Sequence, residues 1–288
     1  MAEKWIDVSA HQSVINWPKV AASGVKGAVI RAGYGNSVSQ QDRQFAANIK
    51  GAAAAGLEVA IYWFSYADSV ADARKEWVVC KQIIGPYRQH IRFVAYDYEY
   101  DSYNYYKRVH GKAPDKTLIN QMACAFLAAA RSGSWKTCLY TNNDYRRNVF
   151  TAATLKAADY LWLADYTGGP DVPCAIQQTG STGAVPGISG HVDMDTVFQT
   201  IAQTSVQIDT TMHVTIPRGG YYTFKTVSSQ QPTVTIGTTG VVALLHCRRE
   251  MEADYWHLCA VGEPGSEAGV YTAAPGEQPL KRFVVKIK

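Results

Sequence analysis

The 288-residue chain has no apolar run near the ~20 residues that cross a bilayer. Its longest runs are of the order of Val59–Phe64 and Val241–Leu245, so no membrane span and no membrane partner is expected. The opening residues Met1–Asp7 lack an apolar h-region, so no secretory signal is read there. Charge of one sign is also scarce. The 28 Lys and Arg stand against 24 Asp and Glu, and the basic residues cluster no further than the pairs Arg146-Arg147 and Arg248-Arg249. That density is too low for a nucleic-acid footprint. The six cysteines, Cys80, Cys124, Cys138, Cys174, Cys247 and Cys259, match no zinc spacing and read as reduced thiols. Cys247 and Cys259 are the one pair placed to face each other across a hairpin. Nucleotide-binding glycine loops, H-E-x-x-H, H-x-H and G-x-S-x-G are all absent. No cofactor and no metal is therefore expected.

What is present is apolar and aromatic: 47% hydrophobic residues, with 18 Tyr and 7 Trp. This excludes a disordered chain. From residue 5 to about 198, short β-type runs alternate with helical ones. Strands are predicted near residues 5–8, 27–32, 58–62, 93–97, 137–140, 160–164, 175–178 and 192–195. Helices are predicted at 42–55, 69–84 and 118–132, with Asn16 capping a shorter one. Strand–helix alternation implies a parallel sheet covered by helices, and eight strands in this length favour a closed barrel over an open doubly wound sheet. The last three strands have no room for full helices between them, so the barrel is expected to be irregular there. After residue 203 the helical period gives way to β alternation punctuated by glycine. The chain is thus read as α/β: an irregular TIM-like barrel over 1–202 followed by a small all-β domain over 203–288, with the boundary at Gln199–Gln207.

The sharpest local feature is Asp97-Tyr98-Glu99 at the end of the fourth strand. Residues i and i+2 of a strand share a face, which puts the two carboxyls roughly 6.5–7 Å apart at their Cα atoms. Catalytic groups of barrels sit at the C-terminal strand ends. Two acids this close cannot ionise independently, so one becomes a proton donor at neutral pH. Glycosidic cleavage needs that division: an acid for the leaving oxygen, an anion for the developing positive charge. Asp7 ends the first strand and Asp193 lies in the last, and both are expected on the same rim. The alternative for any one of them is an ordinary strand-end or cap residue. The stretch Tyr100–Thr117, with Tyr100, Tyr103, Tyr105 and Tyr106, reads as a long functional connection. Tyr34, Tyr62, Phe64, Tyr140, Trp162 and Tyr166 also fall at strand ends. They are candidates for a sugar-binding surface, with burial in the core as the alternative.

These residues carry a family resemblance. Ile6-Asp7-Val8-Ser9-Ala10-His11-Gln12 with Ile15-Asn16-Trp17 resembles the first motif of glycoside hydrolase family 25 lysozymes. Residues 27–35 (GAVIRAGYG), 56–65 (GLEVAIYWFS), Asp97-Tyr98-Glu99, 162–166 (WLADY) and 187–195 (GISGHVDMD) resemble later motifs, in order. The resemblance implies a barrel of five β/α units followed by three strands, (β/α)5β3. It implies muramidase activity on bacterial peptidoglycan, at the β-1,4 bond from N-acetylmuramic acid to N-acetylglucosamine. It implies Glu99 as general acid/base and Asp97 as cation stabiliser, acetamido-orienting group or nucleophile, with Asp7 and Asp193 tuning the pair and holding the sugar. The chain departs from the family at Gln177-Gln178-Thr179, where members often carry Trp-Gln-Tyr, so a stacking surface is expected to be missing. Ala95 stands where chitinase-type enzymes carry a third acid, which argues against that class.

A muramidase with no read signal and an added β module resembles a phage or prophage endolysin, with a bacterial autolysin as the alternative. The expectation is a protein made in the host cytoplasm, released at lysis, whose C-terminal domain docks on cell-wall glycan. Tyr221, Tyr222, Tyr255, Trp256, His257 and Tyr271 are candidates for that docking surface, with sandwich core as the alternative. A homo-oligomer is compatible with the sequence. Two rival readings stay open at this point: a non-catalytic wall-binding protein, and a metal-dependent polysaccharide deacetylase using the acids and His11.

Overall fold

The computed structural model describes residues 2–133, 135–199, 206–210, 212–228, 231–251, 253–274 and 279–288. The chain divides into two compact units, residues 1–201 and 202–288. Most of the boundary expected at Gln199–Gln207 lies outside the described residues.

The first unit runs β1 (Glu3–Val8), α1 (Trp17–Ala22), β2 (Gly27–Tyr34), α2 (Phe45–Ala54), β3 (Glu58–Phe64), α3 (Val70–Ile84), β4 (Ile91–Asp97), α4 (Tyr100–His110), α5 (Lys116–Ser132), β5 (Thr137–Asn142), α6 (Asn143–Asn148), α7 (Ala152–Leu155), β6 (Tyr160–Ala164), β7 (Ile176–Gly183) and β8 (Val192–Val197). The eight strands close into a barrel in chain order. β1 to β7 pair parallel, and β8 runs antiparallel to both β7 and β1. No helix separates β6, β7 and β8, which is the irregularity expected from their spacing. The expected helices form within a few residues of their predicted bounds, and Asn16 Oδ1 caps α1 by accepting from Lys19 N at 3.2 Å.

One expectation is corrected. Residues 100–117 are not a long open connection: 100–110 form α4, which ends at Gly111 in a left-handed conformation. Tyr103 and Tyr106 alternate with charged positions at helical spacing, so the segment folds as an amphipathic helix.

Two apolar layers hold the barrel. One face of each strand meets the helices, where Ile6, Val8, Ile30, Ile61, Val94, Tyr96 and Leu139 pack on α2, α3 and α5. The other face fills the lumen with Trp5, Val29, Ala60, Phe93, Ala95, Cys138, Tyr140, Trp162 and Ile176. Strands buried on both sides account for runs such as Gly27–Tyr34, which show little polar alternation. Gly27 is required by this filling, since a Cβ there would lie 2.3 Å from the Trp5 indole.

The second unit runs β9 (Gln207–Ile208), β10 (Val214–Ile216), β11 (Tyr221–Val227), β12 (Thr233–Ile236), β13 (Val242–Glu250), β14 (Ala253–Ala260), β15 (Glu267–Ala273) and β16 (Leu280–Ile287). It forms two four-stranded sheets, β10-β16-β15-β12 and β13-β14-β11-β9. They share one core, in which Phe224 meets Phe283 edge-on at 5.4 Å. Tyr222 and Trp256 belong to this core, as the alternative reading of them held. Tyr221, Tyr255 and His257 lie on the opposite face of β11 and β14, where Tyr221 is 71% exposed and stacks on His257 at 5.7 Å. All six cysteines are free. The Cys247–Cys259 pair does not form, because the hairpin register sets Cys259 opposite Ala243 and leaves Cys247 at a bulge. Among the described residues no helix is long and apolar enough to cross a membrane.

Glu76 on α3 is fully buried and braces the turn after β3. It accepts from Ser65 Oγ at 2.6 Å and from Tyr66 N at 2.8 Å. Burial raises its pKa from 4.5 to about 8. Between those values only the unfolded chain ionises it, so this group removes stability as pH rises, by at most about 1.4 kcal/mol per pH unit. Glu76→Gln, which keeps a neutral side chain at all pH values, should gain in melting temperature relative to wild type between pH 5 and pH 8. Parallel thermal melts check this; a difference that stays constant over that range refutes it.

Candidate active site

Period-two alternation carries the lumen pattern up to the mouth. On β1, Trp5 is followed by Asp7; on β2, Val29 by Arg31; on β3, Ala60 by Tyr62 and Phe64; on β4, Phe93 and Ala95 by Asp97 and then Glu99. On β6 Tyr160 is followed by Trp162, on β7 Ile176 by Gln178, and β8 supplies Asp193 and Asp195. Because β8 is antiparallel, Asp193 lies directly opposite Asp7, and Asp195 opposite Trp5 and Gln178. The four acids named from sequence therefore converge on one end of the barrel.

Their electrostatics follow from that convergence. Burial, the Glu99 charge next, pushes the Asp97 carboxyl well above the usual range, and Arg31 works against them. Glu99 is less buried, sits at the N-cap of α4, and is raised from 4.5 to about 7 by burial, Asp101 and Asp193. A helix N-terminus favours an anion by roughly 0.3–1 kcal/mol, so here burial and the neighbouring acids outweigh it. Asp7 is raised well above its ordinary value by burial, then Asp195 and Asp193. Burial raises Asp193 too. Arg31 is the one cation among the leading influences on Asp97, and it is held by Asp42, which accepts from its Nε at 2.8 Å. Asp42 is itself fixed by Ala10 N at 2.9 Å and Gln44 N at 2.8 Å.

Gln178 ties the far wall together. Its Oε1 accepts from both Tyr140 Oη and Tyr166 Oη at 2.9 Å, and its Nε2 donates to Asp7 Oδ2 at 2.8 Å. In this orientation both phenols donate to the amide oxygen. Trp162 Nε1 donates to Asp195 Oδ1 at 2.8 Å. Gln177, buried, donates to the carbonyls of Asp165 and Gly168, both at 2.7 Å. It braces the loop that carries Tyr166 and offers no stacking face.

The six aromatic candidates separate by depth. Trp162 is 2% exposed and Tyr140 8%, so both support the acids from inside the lumen, as the core alternative held. Tyr62 is half-buried and edge-on to Trp162 at 6.1 Å. Tyr34 and Tyr166, at 37% and 54%, are open to solvent, and Phe64 is half-buried at the rim. Tyr66 extends that rim, meeting Phe64 at 5.1 Å, Tyr34 at 5.9 Å and Tyr105 at 4.9 Å. Tyr100 stands at the start of α4, its hydroxyl donating to Asp144 at 2.8 Å. Arg31, Gln178, Asp195 and Tyr66 were not among the site residues named from sequence. The first three continue the inward period-two register, which becomes visible only once the lumen face is known. His11 is exposed, and among the described residues no group of three or more His, Cys, Asp or Glu is arranged to hold a metal ion.

The profile of glycosyl hydrolases family 25 matches residues 6–185, more than half of the chain. The chain belongs to glycosyl hydrolase family 25. The match includes Asp7, Asp97 and Glu99 and ends before Asp193. Among solved structures, the modular autolysin LytC of Streptococcus pneumoniae, determined with a synthetic peptidoglycan ligand, superposes with TM-score 0.59 at 24% identity over 68% of this chain and 47% of its own. The match thus spans less than half the length of that autolysin. The catalytic domain of endolysin ply40, from a bacteriophage of Listeria monocytogenes, gives TM-score 0.57 at 20% identity over 70% of this chain and 95% of its own. A bacterial lysozyme from Streptomyces coelicolor gives 0.54 at 22% over 68% and 91%. These likenesses establish the family 25 barrel as the fold. No curated protein matches the chain.

Gln178→Leu leaves two phenols and the Asp7 carboxyl without their partner. It should lower unfolding free energy by about 1–3 kcal/mol and glycan turnover by roughly 10–100-fold through a misplaced Asp7. Urea unfolding and reducing-end release measure the two; wild-type turnover in this variant would refute the assignment.

Proposed function

We propose that this family 25 chain hydrolyses the β-1,4 bond between N-acetylmuramic acid and N-acetylglucosamine of peptidoglycan. The observation that carries the reading is the Asp97–Glu99 pair at the barrel mouth, with burial raising both carboxyls and one guanidinium acting on Asp97 alone. The proton rests on Glu99, the outer member, with pKa about 7. The anion is assigned to Asp97, deeper in and raised by burial, because Arg31 is the cation that acts on it and lowers it. Glu99 then protonates the leaving glycosidic oxygen and, deprotonated, activates the incoming water. Asp97 sits where positive charge develops at the anomeric carbon, as nucleophile, as stabiliser or by orienting the acetamido group. Asp7 and Asp193 hold the sugar and add to the local negative potential. Tyr34, Phe64, Tyr66 and Tyr166 supply the exposed or half-exposed faces for sugar rings.

The second unit is proposed to dock on cell-wall glycan, through the face of β11 and β14 that carries the exposed Tyr221 and the half-buried Tyr255 and His257. We read the whole chain as a phage or prophage endolysin, made in the host cytoplasm and acting on the wall at lysis. The likeness to both an autolysin and an endolysin catalytic domain is compatible with either setting.

Asp97→Asn and Glu99→Gln should each lower wall clearance by several orders of magnitude while co-sedimentation with walls persists. Mass analysis of soluble products should find muropeptides with N-acetylmuramic acid at the reducing end. Acetate release without new reducing ends would overturn the reading in favour of a deacetylase. Because Glu99 must carry a proton, activity should fall as pH rises through about 7; a rate that climbs steadily from pH 6 to 9 would remove Glu99 from the acid role. Residues 203–288 alone should co-sediment with Gram-positive walls, and failure to do so rejects the docking role.

A further inference from the structure

Asp165 belongs to the 162–166 motif, yet it has no part in the reading above. It directly follows β6, is 4% exposed, and has every polar atom engaged. Its Oδ1 accepts from Thr167 Oγ1 at 2.7 Å and from Thr167 N at 3.2 Å. Its Oδ2 accepts from Asn143 Nδ2 of α6 at 3.0 Å and from Asp171 N at 3.2 Å. Its backbone N–H donates to Gln178 O at 3.0 Å, and its carbonyl accepts from Gln177 Nε2 at 2.7 Å. The loop 165–171 is therefore fastened to β7 on one side and to α6 on the other, where Arg147 Nη2 also donates to Asp171 Oδ2 at 2.5 Å. Tyr166 is the exposed ring on this loop, and its hydroxyl is held by Gln178 Oε1. Burial, then the Asp193 and Asp7 charges, push that phenol up to about 12, so the hydroxyl stands in the field of the acid wall.

Among the described residues four donors and no acceptor meet the Asp165 carboxyl, which is the environment an anion needs. An asparagine there would turn its amide N–H toward a backbone N–H in either orientation, that of Thr167 or that of Asp171. We propose that Asp165 is a positioning residue for substrate binding: as a carboxylate it clamps the loop 165–171, so that Tyr166 presents its ring to a sugar bound over the acids. The sugar rests on the muramidase reading; the clamp does not. The two bonds from Thr167 first, then those from Asn143 and Asp171, hold the carboxyl down at about 2 against burial. The clamp is thus intact throughout the range in which Glu99 titrates, and it acts on how the glycan is held rather than on the proton.

The test uses the full-length protein on solubilised glycan strands of purified peptidoglycan. Asp165→Asn should raise KM roughly 10-fold with kcat held within about two-fold, and Tyr166→Ala should do the same. The double variant should be no worse than either single one, because both act through one ring. The pH at which activity falls should stay in place. An unchanged KM, effects that multiply in the double variant, a loss confined to kcat, or a displaced pH limb each overturns the proposal. Asn143→Ala removes one donor and leaves the carboxylate, so it serves if Asp165→Asn does not fold. It should raise KM by about three-fold, and a wild-type KM there also overturns the proposal. Amide hydrogen exchange over residues 165–171 needs no turnover: it should quicken in Asp165→Asn or Asn143→Ala, and wild-type exchange in both removes the clamp. If wild type itself releases no muropeptides, the muramidase reading fails while the exchange measurement still decides the clamp.

Discussion

Carboxyl groups withdrawn from water at the mouth of a barrel, with too few cations to neutralise them, are the constraint on which the rest of this site depends. Asp7, Asp97, Glu99, Asp193 and Asp195 cannot all ionise in one half-buried wall, so protons must be retained and shared. A single guanidinium, already half-neutralised by Asp42, is too little to release them all and enough to favour one. The acid–anion pair that bond cleavage calls for therefore arises from placement. No single residue has to be unusual.

Keeping these acids in place falls to neutral side chains. Gln178, Trp162 and Tyr140 fill the lumen with apolar bulk and spend their polar tips on carboxyls or on one another. Neutral donors satisfy oxygens without pulling pKa values down as far as lysine or arginine would. The same economy appears behind the rim, where Glu76 holds the Tyr66 turn with a buried carboxyl and two short hydrogen bonds. The barrel mouth thus carries its polar hydrogen bonds in the lumen and its exposed aromatic rings at the rim.

The barrel was legible because its strands are buried on both faces and separated by capped helices. The irregular final third was legible because residues 160–195 leave no room for full crossovers. Asp97 and Glu99 could be read from their spacing alone. Arg31 and Asp195 could not, although each sits two residues along from an inward position: the sequence of a doubly buried strand does not mark which face is the lumen, and Arg31 follows the apolar stretch Ala28–Ile30 without a break. The segment after Glu99 was misjudged because four tyrosines obscured a helical period that begins at Glu99 itself. In the second unit the alternation predicted strands, but the shared core claimed Tyr222 and Trp256 and left Tyr221, Tyr255 and His257 outside. The Cys247–Cys259 separation depends on one bulge, which composition does not encode.

The reversed direction of the last strand has a further effect. Seven strands reach the opening with their final residues, and the eighth enters there with its first. Two acid-x-acid motifs are consequently threaded in opposite senses: along β4 the second acid is the shallower one, along β8 the first. Each motif presents one member to the opening and sinks the other beneath it, so the opening is lined by two tiers of acid that meet from opposite sides. A barrel of eight parallel strands would have no strand beginning at its mouth from which to build the second of these.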